Sequence, residues 1–423
     1  MAERYLVISS DCHAGLPNAE YRPYLDPEHR SALDDYLAHR EELMAAQRIS
    51  VDNADFVEHW EHDNAEGLRG GWDVARRDKE LDADGVAGEI IFPDSDAVTG
   101  GAGAPFGAGL GMSTTQVAPE LLFAGARAHN RWLAELCHES PERRCGVALV
   151  PVTHDVDRAV ALVTEARESG LKAVLIPSMW NDKPAYHDPV YDPFWAVCQD
   201  LEMPIHTHSG AAPHADYGPP GPAHTGMYVA EVRWWAARPI HVLIWAGVFE
   251  RYPRLKFCVA ESGAFWAADL LWSMDLMFDS TFGGVSKLGN VTSHLSMRPS
   301  EYFDRNVGIG ASNTRRRELA RRFEIGVGNI MWGNDFPHPE GTWPHTADAL
   351  RKVFWDIPPD DTAAVLGLNA ADFYGFDVEA LRPLADRIGP TPEDLGQTDP
   401  TVFAKWDGPR RAGRPWITGI EAL

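Results

Sequence analysis

The stretch GVALVPVTHDVDRAVALVTEARESGLKAVLIP, residues 146–177, holds one complete unit of the fold. Gly146–Val152 is a short apolar run of the kind that forms a buried strand. Asp155 then stands where a helix N-cap belongs, and Val156, Ala159, Val160, Leu162 and Val163 recur at helical spacing until Gly170 closes the segment. A second apolar run, Lys172–Pro177, follows directly. A strand, a helix and a strand joined in this order form a crossover unit whose strands run parallel.

Working outward, the same kind of run recurs at Tyr5–His13, Val86–Pro93, Pro204–Ser209, Lys256–Glu261, Asn306–Ala311 and Ile330–Pro337, which makes eight in all. Eight such units predict a (β/α)8 TIM barrel over residues 1–375, and the first run is not followed by the GxGxxG of an open dinucleotide-binding sheet. The connections are uneven. Residues 14–84, between the first two strands, form a long insertion with a predicted helix over Asp26–Arg48 and the run FVEHWEHD, and we expect it to act as a lid. TGGAGAPFGAGLGM after strand two lacks the Lys and Ser/Thr of a phosphate loop, so it reads as a mobile cover. Residues 376–423 read as a C-terminal extension that wraps the barrel or meets a neighbouring copy in a homo-oligomer.

Composition narrows the function. Hydrophobic residues at 44% and charged residues at 24% of 423 match a globular enzyme. Lys and Arg total 38 against 62 Asp and Glu, and the net charge of -24 repels nucleic acid and anionic membrane surfaces. The 5 cysteines are scattered without a CxxC, which argues against a disulfide framework and a thiolate zinc site. MAERYLVISSD lacks a leader pattern and no run approaches bilayer length, so the expectation is a cytoplasmic protein.

Residue types that bind metals sit at the C-terminal ends of four predicted strands. Asp11 and His13 in SSDCHAG are two apart, hence on one side of strand one, with Cys12 facing the other way. His206 and His208 share a side of strand five, strand six ends in Glu261, and strand eight ends in Asp335 with His338 just beyond. Each alone reads equally as a loop cap or a satisfied core group. Together, three carboxylates beside histidines in a barrel mouth are costly without cations, and oxygen plus imidazole donors suit Fe, Mn or Zn. His206 is a further ligand or an orienting residue, and His214 and His224 on the strand-five loop could complete a coordination sphere. Three carboxylates around one divalent ion leave a charge of -1 and around two leave +1, which favours a dinuclear centre. Glu135 and His138 form a single ExxH, better read as a surface pair.

DxH on strand one, HxG on strand five and GNDFPHP on strand eight resemble the amidohydrolase-2 group of metal-dependent barrels. The resemblance implies metal binding by Asp11, His13, His208 and Asp335. Strand six departs from it, because many hydrolases and decarboxylases of that group have a His followed by Gly where this chain has Glu261 in ESGAFW. ISSDCHAGLPNAEYRPYLDPEHR, ESGAFW and GNDFPHPEGTWP look like the TIM-barrel nonheme diiron monooxygenases, a family with a described diterpenoid hydroxylase of antibiotic biosynthesis. That resemblance implies two Fe ions held by Asp11, His13, His208, Glu261, Asp335 and His338. It also implies dioxygen as co-substrate, a hydrophobic, diterpenoid-like substrate linked to coenzyme A, and a separate reductase as electron donor. The alternative is one Zn or Mn ion in a hydrolase or decarboxylase, with Asp335 as base.

Substrate signals are sparser. Among 15 Trp, Trp60, Trp72, Trp180, Trp234, Trp235, Trp266 and Trp343 lie in covering segments or after ligand strands and could line an apolar pocket, or serve only as core. Arg315, Arg316 and Arg317 at a predicted helix start could hold a phosphate, or form a solvated face.

Overall fold

A computed structural model describes residues 4–47, 54–93, 103–110, 117–178, 183–210, 217–219, 221–281, 287 and 289–403. Eight strands pair in the order β1 to β8: Ile8–Ala14, Gly88–Pro93, Arg144–Leu149, Ala173–Leu175, Ile205–His208, Phe257–Ala260, Val307–Ser312 and Ile330–Gly333. Every neighbouring pair is parallel. The strands are buried along almost their whole length, which is why they read as near-continuous apolar runs rather than alternating ones. The TIM barrel expected from the sequence is therefore present, and closure falls between β8 and β1. Cys12 bridges Phe336 in parallel, the His13 N–H donates to the Phe336 carbonyl at 2.7 Å, and the Asp335 N–H donates to the Asp11 carbonyl at 2.8 Å. Gly333 makes this approach possible, because a Cβ there would stand 2.7 Å from that of Asp11.

Helices alternate with the strands as the periodicity predicts. In the unit read first, α5 spans Val156–Glu168 and the Asp155 carboxylate accepts from the Arg158 N–H at 3.0 Å, which satisfies a first-turn donor. The insertion between β1 and β2 carries α1 (Arg30–Gln47), α2 (Ala54–Leu68) and α3 (Val74–Ala83). α4 is Pro119–His138, α6 Asp192–Asp200, α7 Pro222–Trp245, α8 Val248–Arg251, α9 Ala267–Thr281, α10 Pro299–Asn306 and α11 Arg316–Ala320. Two of the features that dock the insertion bear on the barrel mouth. Trp343, in the connection after β8, meets Phe336 and Trp60 edge-on with centroids at 4.9 and 5.7 Å, and its indole donates to Glu80 at 3.1 Å. Arg77 of α3 is fully buried and donates to Glu89 of β2 and to the His13 carbonyl at 2.9 Å.

Beyond residue 376, a helix at Val378–Ile388 leads to Pro390, whose carbonyl accepts from the Tyr5 N–H at 2.9 Å. Gln397 accepts from the Tyr5 hydroxyl at 2.5 Å, so this part of the extension lies against the entry to β1. No helix among the described residues is long and apolar enough to cross a membrane.

Candidate metal centre

β1 delivers the first two side chains. A register shift between Ser9 and Cys12 irregularises the strand, and Asp11 and His13 both reach the barrel axis, with Nε2 of His13 3.4 Å from Oδ1 of Asp11. Cys12 faces elsewhere, its sulfur 3.3 Å from the Asn334 amide oxygen. β5 supplies His208, whose Nε2 is 3.2 Å from Asp11 Oδ1 and whose Nδ1 is 3.3 Å from Glu261 Oε2. Asp335 follows β8, with Oδ1 3.4 Å from His13 Nε2 and 3.1 Å from His338 Nδ1. Glu261 and Asp335 both leave their strands in left-handed backbone, at φ 50 and 61, a conformation that costs a non-glycine residue about 1–3 kcal/mol and accumulates at functional sites. β6 and β8 therefore stop short of the predicted Glu261 and Pro337.

Among the described residues the donors form three overlapping groups, each with its donor atoms within 4.8 Å of one another: Asp11, His13 and His208; His13, Asp335 and His338; and Glu261, Asp335 and Glu340. His13 belongs to the first two groups and Asp335 to the last two. His13 Nε2 and Asp335 Oδ1 are buried and make no hydrogen bond, although they face each other across 3.4 Å. Buried polar atoms are rarely left this way, and a cation between them satisfies both. The donor set of oxygen and imidazole without thiolate fits a divalent ion.

Electrostatics point the same way. Burial raises the Asp11 carboxyl, but His208 and His13 outweigh it and hold the group well below the usual carboxylate range. Burial and His338 push His13 down, yet Asp11 and Asp335 carry it up to about 9. The proton so retained on His13 occupies a position that a metal ion takes by displacing it. Glu261 differs: burial and the adjacent Asp335 raise it well above the ordinary value, although its side chain is 20% exposed. Asp11 and Asp335 are the carboxylates grouped with His13, and their two charges balance a single divalent ion.

The other sequence candidates separate from this centre. His206 is second to the site, because Nδ1 faces the Val174 carbonyl at 3.1 Å and Nε2 the Tyr374 hydroxyl at 2.7 Å. Burial pushes its pKa down to about 3, so the neutral ring donates at Nδ1 and accepts at Nε2. His224 lies at the start of α7 with Nδ1 3.0 Å from the Gly218 carbonyl and belongs to none of the three donor groups. His214 and Trp180 lie outside the described residues. Glu135 accepts from the Tyr24 hydroxyl at 2.6 Å, and with His138 it lines an outer cavity against α4.

Trp234, Trp235 and Trp266 line a cavity of about 430 Å³ with Arg238 and Leu270, between α7 and α9, and none of the donors lines it. Arg316 is not available for phosphate, since its guanidinium pairs with Asp356 at 2.6 Å and stacks on Trp355. Arg315 heads α11, but Glu318 already supplies the anion there, accepting from the Arg315, Ala264 and Phe265 N–H groups. Arg317 lines a separate cavity beside Asp269 and Glu318.

Sequence reasoning missed two residues. Ser312, the last residue of β7, donates its hydroxyl to Asp11 Oδ2, and Glu340 joins Glu261 and Asp335. Their signals were a polar strand end on the one late strand assigned no donor, and a third ionisable residue within DFPHPEG.

Comparison with known proteins bears on the chemistry. The gamma-resorcylate decarboxylase of Rhodococcus jostii is 24% identical over 60% of this chain and 77% of its own length. The 2-amino-3-carboxymuconate-6-semialdehyde decarboxylase of Dictyostelium discoideum is 24% identical over 59% and 66%. Among solved structures, 5-carboxyvanillate decarboxylase from Sphingomonas paucimobilis superposes with a TM-score of 0.57 at 21% identity, over 88% of this chain and 100% of that one. A second 5-carboxyvanillate decarboxylase, from Novosphingobium aromaticivorans with bound manganese, gives 0.62 at 18% identity, over 88% and 97%. These relatives overturn the diiron monooxygenase expected from the sequence, and with it the oxidoreductase class and diterpenoid hydroxylation. The expectation failed because carboxylate and imidazole ligands suit iron, manganese and zinc alike, so the ligand pattern does not carry the reaction. The model of the amidohydrolase family matches residues 11–376, and the chain belongs to that family.

Proposed function

We propose that the chain is a metal-dependent decarboxylase of small, conjugated carboxylic acids, with one Mn or Zn ion held by Asp11, His13, His208 and Asp335. The observation that carries this reading is the pair of unbonded atoms, His13 Nε2 and Asp335 Oδ1, buried where two donor groups overlap. The decarboxylase relatives supply the reaction class. When bound, the ion supplies a positive charge that orients the substrate and draws electron density from it.

The side chains account for the remainder. Decarboxylation breaks the bond between the carboxylate and its carbon, the electron pair stays on that carbon, and one proton must replace the departing carbon dioxide. His338, whose Nδ1 lies 3.1 Å from Asp335 Oδ1, brings this proton in from the mouth, and the Asp335 carboxylate, facing the ion, holds His338 in position to hand it over. His13 is held from behind by the Pro93 carbonyl, 3.2 Å from Nδ1, which leaves Nε2 directed inward.

The test is carbon dioxide release by Mn-loaded and Zn-loaded protein from 2,6-dihydroxybenzoate, 5-carboxyvanillate and 2-amino-3-carboxymuconate semialdehyde. Metal-dependent release from at least one is expected. Release from none, with metal-dependent cleavage of esters or amides, would replace decarboxylation by hydrolysis.

A further inference from the structure

On the face of the barrel opposite the donor groups, a cavity of about 560 Å³ opens beneath the N-terminal ends of β4 to β7 and beside the helix Asn369–Tyr374. Five cations line it, Arg167, Lys172, Arg254, Lys256 and Arg305, against the carboxylates of Glu202 and Asp372. This excess is opposite in sign to the net charge of -24 carried by the chain. The cations arrive from separate segments: the end of α5, the residue before β4, the approach to β6 and the end of α10.

Their hydrogen bonds leave that charge standing. Lys172 donates to the Pro141 carbonyl at 3.1 Å, Lys256 to the carbonyls of Asp372 and Phe373 at 3.2 and 3.0 Å, and Arg305 to that of Phe249 at 2.5 Å. These acceptors are neutral. Arg254 has a carboxylate partner in Asp200, 3.5 Å away, but both side chains are more than two-thirds exposed and screened by water. Gathering like charges around a concavity is unfavourable by itself and becomes favourable when an anion fills it.

We propose that this cavity binds a small-molecule polyanion, one bearing two or more phosphate or carboxylate groups. A nucleic acid does not suit, since the chain as a whole carries a net charge of -24 that repels a phosphate backbone. The inner wall is formed by Tyr374, whose hydroxyl meets His206 Nε2 at 2.7 Å, and His206 stands two residues before His208 on β5. An occupant therefore touches a residue that buttresses the strand carrying a proposed metal ligand.

The experiment is calorimetric titration of the metal-loaded protein at constant ionic strength with fructose 1,6-bisphosphate and, separately, propane-1,2,3-tricarboxylate. One probe binds with a stoichiometry of one per chain, and the tighter of the two identifies phosphate or carboxylate as the source chemistry. Lys256→Gln combined with Arg305→Gln weakens that binding about tenfold or more, as expected for loss of charge-assisted contacts, while metal content and carbon dioxide release without probe stay at wild-type values. Arg167→Gln, at an exposed position, gives a smaller loss in the same direction and covers the case in which the double variant misfolds. The proposal is overturned if neither probe binds, or if both folded variants bind as the wild type does.

Discussion

Nε2 of His13 and Oδ1 of Asp335 face each other across 3.4 Å, both buried and neither hydrogen-bonded. One atom comes from the first strand and the other from the turn after the last, so the seam that closes the barrel also assembles the centre. Asp335→Asn keeps the shape and removes the charge that faces the ion and positions the proton-carrying His338. Carbon dioxide release should fall by about 10²–10⁴-fold, with substrate affinity changed far less. Steady-state kinetics separate the two, and a fall in affinity alone would place Asp335 in binding.

Ser312 should reveal itself through the metal rather than through the fold. Its hydroxyl donates to Asp11 Oδ2 and fixes the carboxylate that spans to His208. Ser312→Ala is expected to weaken Mn or Zn binding by about 10–100-fold with an unchanged melting temperature. Competition with a chelator measures the affinity, and wild-type affinity would remove Ser312 from the site.

The Arg77–Glu89 pair links α3 of the insertion to the back of His13. Burial raises the Glu89 carboxyl, but Arg77 outweighs it and holds the pKa below the ordinary value. The pair therefore stabilises above the unfolded carboxylate pKa of about 4.3, and the contribution is lost as pH falls through the lower folded value. Arg77→Met leaves buried Glu89 with only Arg144 beside it, Nε at 3.4 Å, at a cost near the low end of about 3–5 kcal/mol at neutral pH. The deficit should shrink as pH drops through the carboxylate range, because protonation then relieves Glu89. Urea titrations of both proteins from pH 7 to pH 4 check this, and a deficit independent of pH would contradict it.

Gly67 bears on the insertion itself. A Cβ at this position of α2 would lie 2.4 Å from Cζ2 of Trp343, the ring that docks the insertion on the connection after β8. Gly67→Ala should cost about 1–3 kcal/mol through overpacking and raise the proteolytic susceptibility of residues 14–84. Metal content should stay at the wild-type level, since no donor moves. Unchanged proteolysis would show that Trp343 yields without releasing the insertion.

Much of this was legible in the sequence. The barrel was readable because its strands are buried on both faces and so appear as short apolar runs ended by polar residues, as at Lys172–Pro177. Asp11, His13, His208, Asp335 and His338 were legible because strand periodicity places them on one side or at one end. Ser312 and Glu340 were not, since their roles depend on how β7 and the connection after β8 close over Asp11 and Glu261. The reaction was misread for a chemical reason: the same donors hold several metals, so the ligand pattern does not carry the reaction.

The most direct test of the central claim uses the best substrate of the panel, labelled with ¹³C in its carboxylate and turned over in D₂O. The account predicts one labelled carbon dioxide per product and one deuterium at the vacated carbon, both dependent on bound Mn or Zn and both lost in Asp335→Asn. A product that keeps its labelled carboxylate, or deuterium incorporation that survives removal of the metal, would contradict it.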